Sequence, residues 1–396
     1  MNSGAVPSQE FGARLFVEES FGRTRENEPV RVGVPFPRGL VFAAKEVAVF
    51  DQHARAVPHQ CRVLASWPDR SVKWVLVDAL VCVEANERAV LLVRRKTSVG
   101  NVVQGATTHG LNIAEEAGRL VVNTGAGQFC VGRDFLGPLQ AALLGSTELL
   151  ATAGSETRLR TADGTEYVPV VDSVRLEESG SVRASILVEG GFAHRGRRNP
   201  LLFKSRLVFF AGSTCVTLEF QIRNPQAAHH PGGLWDLGDG GSCSFTDLSI
   251  RLYPRDQARE VEWYAEVPTS AQRIGNPNFS LYQDSSGGAN WDSPNHVDFA
   301  NKLMVSLPGY QVRAGPPGES KLIGEGRRAT PCLRISTEAG WMAATTKDFW
   351  QNFPKALRLE DGALSIGLFP AEGAAGCERQ GGEQTGWDGH ADSNAG

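Results

Sequence analysis

Apolar residues recur along this chain in short runs, many alternating with polar ones, and Gly, Pro, Asn or Asp breaks each run. A period of two marks a strand with one buried and one wet face. ARLFVEES, PVRVGVPFP, EVAVFD, QCRVLASWP, SVKWVLVDALVCVE and RAVLLVRR follow one another up to residue 95. So dense a series predicts a small barrel or sandwich. A second series fills residues 110 to 370, from GRLVVNTG and GQFCVG through YVPVVDSVRLEES, VRASILVEGGF, LLFKSRLVFFAG and TCVTLEFQIRN to WMAATTKDF and LSIGLF. In VTLEFQIRN the apolar positions share one face, which predicts an antiparallel sheet.

Helical periodicity is nearly absent. The best stretch, Phe135 to Leu150, is interrupted by Gly137, Pro138 and Gly145. No repeat of solenoid or propeller length occurs. The expected fold is therefore all-β: a small N-terminal β-barrel over residues 10–98, then a large antiparallel β-sandwich over residues 110–370. The polar stretch Thr97 to Thr108 suits a linker, and residues 371–396, with one Trp to bury, are expected to be disordered.

Composition narrows the function classes. The 44 Gly and 21 Pro fit a chain rich in turns. With 40 basic and 44 acidic side chains the net charge is −4, which argues against a nucleic-acid partner; the one basic run, His194 to Arg198, is short. No apolar run has the length of a membrane span, and the N-terminus lacks the basic-then-apolar pattern of a secretory signal. The seven Cys are scattered singly, several inside apolar runs, and read as buried reduced thiols, which points to the cytoplasm.

Chemistry-bearing residues gather in loops. VGVPFPRG (Val32 to Gly39) and SWPDRSVKWVLVD (Ser66 to Asp78) read as structural turns, with Trp67 and Trp74 as core or inter-domain packing. The long Gly-rich loop from Ala227 to Asp247 holds His229, His230, Trp235, Asp236 and Asp239. A Trp can stack on a sugar ring, while Asp236 and Asp239 suit sugar hydroxyls or a calcium ion, although the spacing is not that of an EF-hand. The same carboxylates equally suit turn capping. A further loop, Gly287 to Phe299, carries Trp291, Asp292, Asn295 and His296, and Thr345 to Leu359 carries Lys347, Trp350, Asn352 and Lys355. His229, His230, His296, Lys347 and Lys355 have side chains suited to proton transfer. Trp235, Asp236, Asp239, Trp291, Asp292, Asn295, Trp350 and Asn352 offer the aromatic faces and hydrogen-bonding groups of a sugar site, and the aromatic residues serve packing equally well. No phosphate loop, zinc-protease motif or dinucleotide fingerprint occurs in a fitting context.

VRVGVPFPRG, WPDRSVKWVLVD, HHPGGLWDLGDGGS, NWDSPNHV and KDFWQNFPKAL together resemble the exo-rhamnogalacturonan lyase and YetA-like family, in order from about residue 13 to 370. The resemblance implies an N-terminal RIFT-type β-barrel and a central β-sandwich. It also implies a C-terminal α/α toroid, which this sequence does not reach. The implied chemistry is β-elimination on a uronate-containing, rhamnogalacturonan-like oligosaccharide or polysaccharide. Three readings follow: a truncated relative with little activity alone, an active enzyme acting alone or with a separately encoded toroid, and a non-catalytic carbohydrate-binding protein using the Trp235 and Trp291 loops.

Overall fold

The alternating runs of the N-terminal unit all become strands: β1 (Gly12–Glu18), β2 (Arg25–Pro35), β3 (Val47–Asp51), β4 (His59–Ser66), β5 (Val72–Val83) and β6 (Arg88–Arg95). They come from a computed structural model that describes residues 11–96, 110–133, 137–227, 241, 243–267, 269–275, 278–293, 305–316 and 318–372. The strands pair antiparallel in two three-stranded sheets, β1-β6-β3 and β2-β5-β4. Their inward residues, including Val34, Val49, Val75, Val77, Val81, Leu91 and Val93, form one core. Because Val75, Val77 and Ala79 point inward, Trp74, Leu76, Asp78 and Leu80 face outward. Trp74 is thus exposed on the outer face, which corrects its reading as packing. Trp67 is half-buried, its indole N–H donating to the Phe36 carbonyl at 3.0 Å. The expected turn at Gly39 is present, with φ +79° there and Arg38 paired to Asp69 at 3.0 Å. Just past β1, burial would raise the Glu19 carboxyl, but backbone N–H donors from Asn86, Arg23, Phe21 and Gly22 outweigh it and hold the group at about 2.

The next strands, β7 (Asn112–Glu116), β8 (Arg119–Asn123), β9 (Gln128–Gly132), β10 (Ala141–Leu144) and β11 (Thr147–Glu148), form a five-stranded sheet. The weak helix expected over Phe135 to Leu150 is therefore replaced by β10 and β11, separated by a turn at Gly145 with φ +60°.

The remaining strands are β12 (Leu150–Arg160), β13 (Glu166–Ser179), β14 (Arg183–His194), β15 (Arg197–Phe210), β16 (Val216–Arg223), β17 (Asp247–Pro254), β18 (Glu260–Tyr264) and β19 (Gln272–Gly275). They continue with β20 (Phe279–Gln283), β21 (Tyr310–Ala314), β22 (Lys321–Gly326), β23 (Cys332–Ser336), β24 (Trp341–Thr345), β25 (Lys355–Glu360) and β26 (Ala363–Phe369). An eleven-stranded sheet runs β16-β15-β14-β13-β12-β17-β26-β25-β20-β21-β22, and a four-stranded sheet runs β19-β18-β23-β24. One half of the long sheet packs Leu159, Ile186, Phe203 and Phe209 against Leu120, Val122 and Phe129 of the five-stranded sheet. The other half packs Leu281, Val312, Leu357 and Leu364 against Val261, Trp263, Leu333 and Ile335 of the four-stranded sheet. Leu252 and Met342 touch both clusters, so the two halves make one β-sandwich.

The barrel docks on this sandwich where β13 turns into β14. Leu80 packs against Val182 and Ala211. The Gln60 Oε1 accepts from the backbone N–H of Val182 (3.1 Å) and Arg183 (2.8 Å), and its Nε2 donates to Glu178 at 2.9 Å. Arg31, Asp78 and Gln60 are cross-strand neighbours. Arg31 lies 3.3 Å from Asp78 and 3.8 Å from Glu178, which also binds Arg183. Burial pushes the Asp78 carboxyl above its ordinary value against the pull of Arg31 and Arg183.

Six of the cysteines are described, none in a disulfide, and the expectation of buried thiols needs correction: Cys82 and Cys215 are exposed and, of the six, only Cys130 is fully buried. Cys82 occupies an outward position of β5, following the same alternation as Trp74. The basic run is the tip of the β14–β15 hairpin, where Arg198 binds Asp172 at 2.6 Å. Thr97 to Thr108 and the tail beyond Glu372 lie outside the described residues. Among those described, no helix is long and apolar enough to cross a membrane.

Candidate functional site

Strand registers bring the chemistry-bearing loops to one end of the long sheet. Arg160 at the end of β12 pairs with Asp247 at the start of β17, and Leu248 pairs with Phe369 at the end of β26. Ala356 near the start of β25 pairs with Gly367, Lys355 pairs with Gln283 at the end of β20, and Gln283 pairs with Tyr310. The connections spanning residues 224–246, 284–309, 327–331 and 346–354 therefore all leave the sheet at the same end. The barrel sits at the opposite end, where Ser179 pairs with Ala184.

Three of the predicted residues share one turn. Asn352 donates its N–H to the Asp348 carbonyl at 3.0 Å, and Asp348 has φ +53°. The turn closes over Lys355, whose ammonium donates to the carbonyls of Asn352 (2.6 Å) and Pro354 (3.2 Å). It also sits 4.9 Å above the Phe369 ring. Burial lowers the Lys355 pKa to about 8. Among the described residues no carboxylate pairs with it, so the amine loses its proton near neutral pH more readily than a surface lysine. Trp350 is half-buried, and Lys347 and Asn352 are exposed.

Gln283 ties this turn to its neighbours. Its side chain is fully buried and donates to the carbonyls of Ser285 (2.6 Å) and Arg327 (2.8 Å) while accepting the Ala329 N–H at 2.9 Å. Buried Asp284 accepts from the Leu307 N–H at 2.8 Å and from the Tyr282 hydroxyl. These bonds anchor both ends of the 284–309 connection, on which Trp291 is half-buried and Asp292 exposed. Arg328 bridges to the neighbouring turn: its Nε donates to the Ser286 carbonyl at 3.3 Å, and its guanidinium lies 4.4 Å from the Trp350 ring centroid.

His229, His230, Trp235, Asp236, Asp239, Asn295 and His296 lie outside the described residues, and with them the expected calcium pair Asp236 and Asp239. The base of the long loop is described. Asn224 donates to the Gly241 carbonyl at 2.7 Å, and Phe245 meets Phe369 edge-on at 5.4 Å, beneath Lys355. The long loop and the Lys355 turn thus meet on Phe369. Asp247, which ends that loop, is a structural anchor. It is buried, 3.7 Å from Arg358, and accepts from Ser249 at 2.7 Å and from the Ala371 N–H at 3.2 Å. Arg358 also binds Glu372 and lies 3.5 Å from Glu360. Among the described residues, no group of three or more His, Cys, Asp or Glu is placed to hold a metal.

Gln283, Asp284 and Arg328 were missed by sequence reading. Only the pair Arg327-Arg328, at a strand end before Pro331, gave any signal.

Residues 21–91 match the PcRGLX-like N-terminal RIFT barrel domain, so the N-terminal unit is a domain of that type. The chain is also similar to the uncharacterized protein YetA of Bacillus subtilis (strain 168), 26% identical over 394 residues, covering 89% of this chain and 44% of YetA. The chain thus spans less than half the length of that curated relative. Both similarities fall on the family that the motifs resembled.

Proposed function

We propose that the loop end of the long sheet binds a uronate-containing, rhamnogalacturonan-like glycan and that the protein is a relative of lyases cleaving such glycans by β-elimination. The observation that carries this reading is Lys355, an amine at the loop end of β25 held by the Asn352 and Pro354 carbonyls with, among the described residues, no carboxylate partner, and with its pKa lowered to about 8 by burial. The PcRGLX-like domain at residues 21–91 supports the same class.

In β-elimination a base removes the proton at C5 of the uronate. The C–H electron pair forms the C4=C5 double bond, the C4–O bond breaks, and the leaving oxygen takes a proton. The C5 proton becomes acidic only when the adjacent carboxylate is neutralised by a cation or by hydrogen-bond donors. Lys355 in its neutral form is the base in this scheme, matched to its task by the lowered pKa. His229, His230, His296 and Lys347 remain candidates for the acid, and Asp236 with Asp239 for a calcium ion.

A second reading, sugar binding without cleavage, is favoured by Trp291 and Trp350, both only half-buried at the same end. One experiment separates the two. The protein is incubated with rhamnogalacturonan oligosaccharides, with calcium or with a chelator, alone and with a separately supplied α/α toroid, while the absorbance of the unsaturated uronate is followed. Product that is lost in Lys355→Met supports cleavage. Binding heat without product in any arm supports the second reading, and neither product nor heat overturns both.

A further inference from the structure

The Arg328–Trp350 contact assigns a role that the predicted site residues left unfilled. Several guanidinium groups at this end of the sheet are neutralised: Arg160 by Glu166 at 2.9 Å, Arg198 by Asp172 at 2.6 Å, and Arg358 by Asp247, Glu360 and Glu372. Arg328 is exposed and, among the described residues, has no carboxylate partner. Its side chain is nevertheless fixed at two points. The ring of Trp350 supports the guanidinium plane at 4.4 Å, and the Nε–H is taken by the Ser286 carbonyl at 3.3 Å. Among the described residues, neither Nη atom makes a hydrogen bond or an ion pair. Gly288 flanks the Nη edge, where an ideal Cβ would stand 3.5 Å from Nη2, so the neighbour on this side is a residue without a side chain.

A guanidinium held in place, with its Nη hydrogens unclaimed among the described residues, matches a planar carboxylate in two-point contact. The aromatic support lowers the entropy lost on binding. Lys355, five residues beyond Trp350 at the start of β25, adds a second cation while it is protonated, its amine donating to the Asn352 and Pro354 carbonyls. Among the described residues, neither cation is paired with a carboxylate.

We propose that Arg328 receives the carboxylate of an acidic sugar residue and that Trp350 is its positioning residue. The assignment rests on the glycan-binding reading above and supplies the charge neutralisation that reading requires. It also gives Trp350 a different task from sugar stacking: the ring holds the arginine.

The test is titration calorimetry with a galacturonate–rhamnose tetrasaccharide and its carboxyl-reduced counterpart, on wild-type protein, Arg328→Gln and Trp350→Leu. Wild-type should bind the acidic ligand about 10- to 100-fold more tightly than the reduced one, the range expected for charge-assisted hydrogen bonds. Arg328→Gln should erase that ratio while binding the reduced ligand as wild-type does, and Trp350→Leu should narrow it. Thermal unfolding of Arg328→Gln should match wild-type, because the residue is exposed. An unchanged ratio in Arg328→Gln, or equal loss for both ligands, overturns the assignment and leaves the glycan reading intact. An Arg328-dependent ratio without unsaturated product under any condition keeps the assignment and overturns β-elimination. No binding of either ligand overturns both.

Discussion

The junction between barrel and sandwich offers a sharp test of the packing described here. Gln60 reaches from β4 into the space above Gly180, where a Cβ would stand 1.9 Å from its Oε1 and 2.5 Å from its Cδ. Gly180→Ala must therefore expel the Gln60 side chain, and no positive φ adds a conformational penalty of its own. Gln60→Ala removes the acceptor of two backbone N–H groups, those of Val182 and Arg183, and one donor to Glu178. An unpaired buried N–H costs about 1–3 kcal/mol, so with partial rescue by water each single variant should lose about 2–4 kcal/mol. The double variant should lose little more than Gln60→Ala alone, within about 0.5 kcal/mol, because the same three bonds are broken only once. Equilibrium urea unfolding followed by tryptophan fluorescence, with unchanged slopes, gives the four free energies. Additive losses, or a Gly180→Ala variant as stable as wild-type, would refute the claim that Gln60 fills the glycine's space.

Other expectations follow from buried charges. Burial holds Lys355 near a pKa of about 8, below an unfolded lysine, so the unfolded chain binds more protons from about pH 8 to 10 and stability should rise across that window. Lys355→Met should be flat there and more stable at pH 7 by on the order of 2 kcal/mol; parallel urea profiles for the two proteins would contradict this. Arg358→Met leaves Asp247, Glu360 and Glu372 without their shared cation and should cost about 3–5 kcal/mol in thermal or urea unfolding, with a loss below about 1 kcal/mol as the contrary result. Glu19, held at about 2, contributes stability that is present above about pH 4 and fades as pH falls toward 2. Glu19→Gln should be less stable at neutral pH and show a flatter acid limb in pH-dependent melting. Gly287 has φ +63°, and a Cβ there would stand 2.1 Å from the Arg327 carbonyl, so Gly287→Ala should displace Arg328 and weaken calorimetric binding of the acidic tetrasaccharide but not of its reduced form.

Local pattern was enough to read the strands of the N-terminal unit, because each alternates cleanly and ends at a turn residue. It misjudged Trp74 and Cys82, whose outward placement depends on which alternate set of β5 residues faces the barrel core, and it could not foresee that Asp247 pairs with Arg358, far along the chain. The loops with chemistry were legible as loops. Their convergence was not, since it depends on pairings such as Gln283 with Lys355 and Leu248 with Phe369 between strands remote in sequence. Arg328 escaped notice for the same reason: Ser286 and Trp350, which give it direction, come from two other connections.

In the long ladder β26 alone joins β17 to β25, although it is the last strand described. As the chain leaves the ribosome, the β12–β17 half and the β20–β25 half can each pair internally, but the seam between them waits for residues 363–369. Until those residues emerge, β17 and β25 each present an open strand edge to other nascent chains. A chain ending before codon 363 would leave both of those edges without β26, so the last strand described also acts as a guard against edge-to-edge association.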